Sequence, residues 1–222
     1  MEKNGGVDLL ARFDADTHAV VARTLDALVR VRNGMGAGAG AVWHSDADVA
    51  HGHSLILTNA HVVGRHPPQV DLPDGRSFAA TVVAADVGLD LAALRIDVAG
   101  LREIPLGDSR ALRPGQWVLA LGHPWGIAGG LTAGVVIGHG AALPEMPLSE
   151  REWIALSLRL RPGHSGGPVV DAAGRLVGLN AVMVGPEVGL AIPVHVAVAF
   201  LKRALHEQAL SAERARAGRR AA

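Results

Sequence analysis

Residues 161–170 read RPGHSGGPVV: three glycines and two prolines crowd one serine, and strand-forming valines follow at once. Glycine has no Cβ, so such crowding marks backbone that turns sharply or comes close to something bound. The stretch reads as a tight loop delivered onto a sheet, with Ser165 at its apex. A glycine-rich turn needs no function. Ser165 is a nucleophile only if a base and an orienting acid stand elsewhere in the chain.

Working outward, short β-type runs recur on both sides of this loop: HSLILTNAHVV (53–63), SFAATVVAAD (77–86), LAALRIDV (91–98), QWVLALG (116–122), AGVVIGHG (133–140), WIALSLRL (153–160) and RLVGLNAVMV (175–184). Turn signals such as PDG, LGDS, RPG and DAAG separate them. ALVRVRN (27–33) alternates, setting Val29 and Val31 against Arg30 and Arg32 as a half-buried strand does, and GMGAGAGAVW (34–43) reads as a flexible turn into the next strand. Helix signals lie only at the ends. Asp14 or Asp16 caps an expected helix over Thr17–Leu25 with Val20, Val21 and Leu25 as its apolar face. PVHVAVAFLKRALHEQAL (193–210) has helical spacing at Val198, Leu201 and Leu205, and the charged tail after Ser211 is expected to fray. Many short strands with helices only at the termini predict an all-β barrel or sandwich.

Composition narrows the function. Of the 222 residues, 49% are hydrophobic and 19% charged, which favours a buried core over disorder. Lys plus Arg and Asp plus Glu number 21 each, so no basic excess points to nucleic acid. Cysteine is absent, which removes disulfides, zinc thiolates and a thiol nucleophile. The N-terminus has no basic-then-apolar export signal, and no run approaches the ~20 apolar residues of a membrane span. The expectation is a soluble chain, cytoplasmic by default, without membrane partner or cofactor.

Candidates for base and acid exist. LILTNAHVV runs an apolar strand into a small polar turn, which leaves His61 at a strand end facing a cleft; Asp90 leads into a strongly apolar strand in GLDLAALRI. Taken alone, each is an ordinary structural residue. TNAHVV, DLAAL and GHSGGPVV, in the order His, Asp, Ser, resemble the trypsin-like serine proteases and within them the HtrA (Deg) branch. The likeness extends to IPLGDSRALRPGQWVLALGHPWG (104–126), LTAGVVIGHG (131–140) and GRLVGLNAV…VGLAIPV, and spans about residues 28–205.

The resemblance implies two Greek-key β-barrels with the active site between them. The expected divisions are an N-terminal helical extension (1–27), a first barrel (28–105), a second barrel (106–195), and a C-terminal helix with basic tail (196–222). It implies a serine endopeptidase acting on polypeptides, with His61, Asp90 and Ser165 catalytic and the amides of Gly163 and Ser165 forming the oxyanion hole. Leu160, Val182, Met183 and Val184 become the wall of a pocket for a medium-sized aliphatic side chain, although the same residues could be plain core. HtrA proteases usually carry C-terminal PDZ domains, for which this chain leaves no room. They commonly trimerise through an aromatic-containing N-terminal segment; Phe13 is the one aromatic before Trp43, so monomer and trimer both stay open.

Some features stand apart. His164 occupies a position that is usually Asn or Asp in this fold, and is either neutral or pH-responsive. Arg159 and Arg161 alternate with Leu158 and Leu160 and are expected to share the opposite face; an Arg159 at the pocket base would favour acidic side chains. His44, His51, His53, His61 and His66 cluster closely enough to raise a zinc site, but no carboxylate or further histidine has a tight matching spacing, so no metal is expected. The remaining alternative is a catalytically silent binding module on the same fold.

Overall fold

The computed structural model describes residues 5–220 apart from 35, 49, 50, 142 and 148. Two antiparallel sheets follow one another along the chain. The first contains β1 (Leu28–Arg32), β2 (Ala37–Ser45), β3 (Ser54–Thr58), β4 (Gln69–Asp71), β5 (Ser77–Ala79), β6 (Thr81–Asp86) and β7 (Leu91–Ile96), with a single helical turn, α2 (Ala60–Val63), after β3. The second contains β8 (Trp117–Gly122), β9 (Gly130–Gly140), β10 (Trp153–Ser157), β11 (Pro168–Asp171), β12 (Leu176–Met183) and β13 (Val188–Pro193). Helices α1 (Gly5–Leu25) and α3 (Val194–Arg220) bracket them.

In the first sheet the order is β5-β4-β1-β2-β3-β7-β6, so β4 returns beside β1 in Greek-key fashion. This sheet is not a closed barrel. Its edge strands β5 and β6 are consecutive in the chain, joined through Ala80, so the sheet curls back on itself without a closing ladder. The second sheet does close, in the order β10-β13-β12-β11-β8-β9. Alternation gives the second barrel two buried faces: Val118, Ala120, Val136, Ile154, Leu156, Val169 and Val177 pack in one cluster, while Leu119, Leu121, Leu176 and Leu190 join Val29, Val31, Ile56, Leu57, Leu91 and Leu94 of the first sheet in another.

Several local readings need correction. The glycine run is strand rather than flexible turn: β2 begins at Ala37, and the turn is confined to the residues before it, where Asn33 Oδ1 accepts the Gly36 amide at 2.8 Å. Gly38 is required by close approach, since a Cβ there would stand 2.8 Å from the Ser165 carbonyl oxygen. α1 starts at Gly5, well before Thr17, and its longer course sets Phe13 edge-on against Trp117 at 5.7 Å, while Val20, within the expected span, stands beside Gly174 of the second barrel. α3 stays helical through Arg220 instead of fraying after Ser211. Its buried face is Val194, Ala197, Phe200, Leu201 and Ala204, so of the three spaced residues only Leu201 lies in it and Leu205 is half exposed.

Phe200→Ala should therefore lower the unfolding free energy by about 3–5 kcal/mol, the range for a buried Phe, while Leu205→Ala should change it by less than ~0.5 kcal/mol. Equilibrium urea denaturation of the two variants checks this; similar losses would refute the assigned helix face.

Candidate active site

β3 is apolar and ends at Thr58, whose hydroxyl donates to the Ala39 carbonyl at 2.7 Å. Asn59 follows, fully buried, with its Nδ2 donating to the Asp90 carbonyl at 3.0 Å. α2 then buries Val62 and Val63 and turns His61 outward. Asp90 lies just before β7 with φ +56, a left-handed conformation that Asp tolerates better than most residues. Its carboxylate accepts from the His61 amide at 3.0 Å and from His61 Nδ1 at 2.9 and 3.0 Å. An ionised carboxylate only accepts, so Nδ1 carries the proton and Nε2 is left as the basic nitrogen.

The serine loop answers its own glycine pattern. Gly163 has φ +102, and a Cβ there would collide with the His123 carbonyl. The loop is fastened on every side: the His123 amide donates to Gly163 O (2.9 Å), Gly166 N to Asn180 O (2.8 Å), Asn180 N to Gly167 O (2.9 Å) and Ala39 N to Ser165 O (2.8 Å). Among the described residues the amides of Gly163 and Ser165 donate to no protein acceptor. Ser165 Oγ donates to the Ala181 carbonyl at 3.3 Å. His61, Asp90 and Ser165 line one cleft of about 690 Å³.

Two histidines back the loop. His164 is fully buried, with Nδ1 3.2 Å from both the amide and the carbonyl of Arg161. Burial pushes its pKa below the usual imidazole range. His123, whose amide holds Gly163, is pushed down to about 4, first by burial and then by the Arg30 charge, with Asp71 opposing.

The predicted pocket wall divides. Leu160, Val182 and Met183 line the cleft, joined by Ala181, and the Leu160 amide donates to Met183 Sδ at 3.1 Å. Val184 does not line it: its amide donates to Val188 O, across the β12–β13 connection. Arg159 and Arg161 do not share a fate either. Arg161 lines the cleft and Arg159 is exposed outside it, because the strand β10 ends at Ser157 and alternation stops there. Asn59 and Asn180 escaped the sequence reading; their signal was a lone amide side chain inside an apolar run, in LILTNAHVV and LVGLNAVM.

The histidine cluster does not assemble a metal centre. His44 Nδ1 pairs with Glu103 (2.8 Å), His53 Nδ1 with Asp46 (2.8 Å), and His61 with Asp90, and among the described residues no three His, Cys, Asp or Glu side chains are arranged to hold a metal ion.

Residues 38–179 match the family model of the trypsin-like peptidase domain. The chain is 42% identical over 157 residues to the mitochondrial serine protease HTRA2 of Drosophila pseudoobscura pseudoobscura, covering 68% of this chain and 37% of that one. To the same protease of Drosophila erecta it is 40% identical over 161 residues, covering 70% and 38%. It thus spans little more than a third of the length of these relatives. Among solved structures, the HtrA-type protease AlgW with tripeptide superposes with a TM-score of 0.72 at 30% identity, covering 82% of this chain and 61% of that one. The serine endoprotease from Yersinia pestis gives 0.73 at 27% identity, covering 85% and 66%. Family model, relatives and fold agree, and the chain belongs to the trypsin-like peptidase domain family, within which it resembles the HtrA proteases.

Proposed function

We propose that this chain is a serine endopeptidase that hydrolyses peptide bonds of unfolded polypeptides. Ser165 is the nucleophile, His61 the base and then the acid, Asp90 the orienting carboxylate, and the Gly163 and Ser165 amides the oxyanion hole. The observation that carries the reading is His61 clasped by Asp90 in the same cleft as Ser165. The amides proposed for the oxyanion hole have no protein acceptor among the described residues. Polypeptide substrates are supported by the AlgW structures, which are of complexes with a tripeptide and a decapeptide.

The steps follow from the residue types. Ser165 exchanges the Ala181 carbonyl for His61 Nε2, which takes its proton as Oγ attacks the peptide carbonyl. Asp90 stabilises the imidazolium and keeps Nε2 facing the reaction. The carbonyl oxygen becomes an oxyanion that the two amides receive, each such donor contributing ~3–4 kcal/mol of transition-state stabilisation. His61 returns the proton to the leaving amine, and water then releases the acyl group by the reverse sequence. The apolar side chains of Leu160, Ala181 and Met183 receive the residue before the scissile bond, and that residue is Val, Ala, Leu or Ile.

The bond from Ser165 Oγ to Ala181 O favours a second reading, a binding module with an unreactive serine. A fluorophosphonate probe separates the two: covalent labelling of wild type and not of Ser165→Ala supports the enzyme, and an inert serine supports the module.

Ser165→Ala and His61→Ala should each abolish cleavage of unfolded casein while retaining a β-rich circular-dichroism spectrum, and Asp90→Asn should lower kcat by about 10⁴-fold through the wrong imidazole tautomer. Casein cleavage by pure Ser165→Ala protein would end this mechanism.

Mass-spectrometric mapping of the casein products should place aliphatic residues before the cut. The preference should be broad, since one methylene changes discrimination by only ~1–3 kcal/mol. A strict requirement for Asp or Glu at that position would contradict the apolar wall.

The buried histidines give a pH dependence with a definite sign. Their pKa values are lowered from an ordinary 6.5, to about 4 for His123, so below 6.5 the unfolded chain binds more protons than the folded one. Their stabilising contribution is full above 6.5 and is lost as the pH falls toward the lowered values. Protonated His164 also stops accepting the Arg161 amide and donates to the Arg161 carbonyl instead. The Tm of wild type should therefore fall more steeply between pH 6.5 and about 4 than that of His123→Asn or His164→Asn. The acidic limb of kcat/KM should be shallower in His164→Asn, since the variant lacks the imidazole that titrates inside the serine loop. Superimposable melting and rate profiles would remove the two histidines from the pH response.

A further inference from the structure

The cleft carries charge that the hydrolytic chemistry does not use. Arg151 and Arg161 both line it, together with Val87, Trp153 and the residues around Ser165. Among the described residues Asp90 is its one lining carboxylate, and that group is committed to His61. Among the described residues neither Arg151 nor Arg161 is in an ion pair, whereas Arg32, Arg76, Arg175 and Arg203 each are. Two unpaired cations therefore face substrate in a chain whose charges balance overall.

Both guanidinium groups are laid against indoles. Arg151 Cζ lies 6.0 Å from the Trp153 ring centroid, and Arg161 Cζ 5.7 Å from that of Trp125. Such stacking limits the rotamers of a long side chain while leaving its edge N–H donors unused. That edge matches a carboxylate with two parallel hydrogen bonds. Trp153 is buried at the start of β10 with its Nε1 donating to Ser149 Oγ, whereas Trp125 projects from the tight Pro124–Gly126 turn with its ring largely exposed. Beyond Arg151 and Trp153 a second depression of about 810 Å³ continues past Met146 and Pro147, with room for a longer peptide segment. Glu150 borders this outer depression and not the cleft.

We infer that the cleft selects polypeptide segments in which Asp or Glu flanks the aliphatic residue at the scissile bond, with Arg151 and Arg161 as specificity-determining residues. This rests on the endopeptidase reading above. The acidic residue is a neighbour of the scissile position rather than its occupant, because Leu160, Ala181 and Met183 offer no charge.

The test uses matched labelled decapeptides with a central Val and either Glu or Gln on both sides, in two arms. In the binding arm, Kd for Ser165→Ala protein is measured by fluorescence anisotropy; in the cleavage arm, kcat/KM is measured for wild type. Each should favour the Glu peptide by about threefold to tenfold at low salt, as expected for partly exposed charge pairs. The preference should shrink in about 0.5 M salt. It should fall to near one when Arg151→Gln and Arg161→Gln are combined, survive Arg159→Gln outside the cleft, and be retained in part by the Arg→Lys pair, which separates lost charge from lost folding. Equal binding of the two peptides, or a Glu preference untouched by the paired Gln substitutions, overturns the inference. A persistent Glu preference in the binding arm, with no cleavage and no fluorophosphonate labelling, would instead sink the hydrolytic reading and leave the recognition standing.

Discussion

The hydrogen bond from the Ala39 amide to the Ser165 carbonyl, 2.8 Å long, is the contact on which the geometry of the cleft depends. It ties the second strand of the first sheet to the serine loop of the second barrel. The other side of the same residue is held too, since the Ala39 carbonyl accepts the Thr58 hydroxyl at the end of the strand that leads to His61. His61 and Ser165 are thus connected through one residue by two short hydrogen bonds, across a boundary that side-chain packing alone would leave free to slide. The neighbouring Gly38 permits this approach, because any side chain there would meet the Ser165 carbonyl and Val62 together. The glycine run of β2 is a docking surface for the loop.

How much of this was legible in the sequence depends on whether the signal was local. Period-two alternation placed Val29 and Val31 in the core, and the polar turn after LILT placed His61 at a strand end, because both are decided within a few residues. The order His, Asp, Ser with their flanks named a family that the comparisons bear out. The glycine-rich strand was misread because glycine there answers a contact with residue 165, far along the chain. α1 extends further toward the N-terminus than its capping signals indicate, and a contact far along the chain, Phe13 against Trp117, lies in that added length. The face of α3 slipped because a helix of alternating Val and Ala admits more than one apolar stripe, and only the barrel beneath selects one.

Buried amides explain why the site is rigid at so few residues. Asn180 sends Nδ2 to the Leu121 carbonyl (3.1 Å) while its own backbone exchanges hydrogen bonds with Gly166 and Gly167. Asn59 does the corresponding work for Asp90 by holding its carbonyl. Each side chain is fully buried, so losing either would remove the hydrogen bond that fixes the Leu121 or the Asp90 carbonyl. These residues touch neither Ser165 Oγ nor the imidazole of His61. They fix the backbone from which both side chains project.

The histidines separate by environment rather than by motif. His44 and His53 lie against carboxylates at the surface. His123 and His164 stand beside and within the serine loop, and burial lowers the pKa of both, that of His123 to about 4. The consequence reaches the proposed oxyanion hole. Amide dipoles act most strongly where neither water nor mobile charge screens them. His164 is fully buried and His123 half-buried, and that burial disfavours a positive charge on either ring beside the loop. Asn or Asp at position 164 would offer a smaller side chain and, with Asp, an anion close to a developing oxyanion. An imidazole whose charged form is disfavoured by its own burial places no anion beside the two amides proposed for the oxyanion hole.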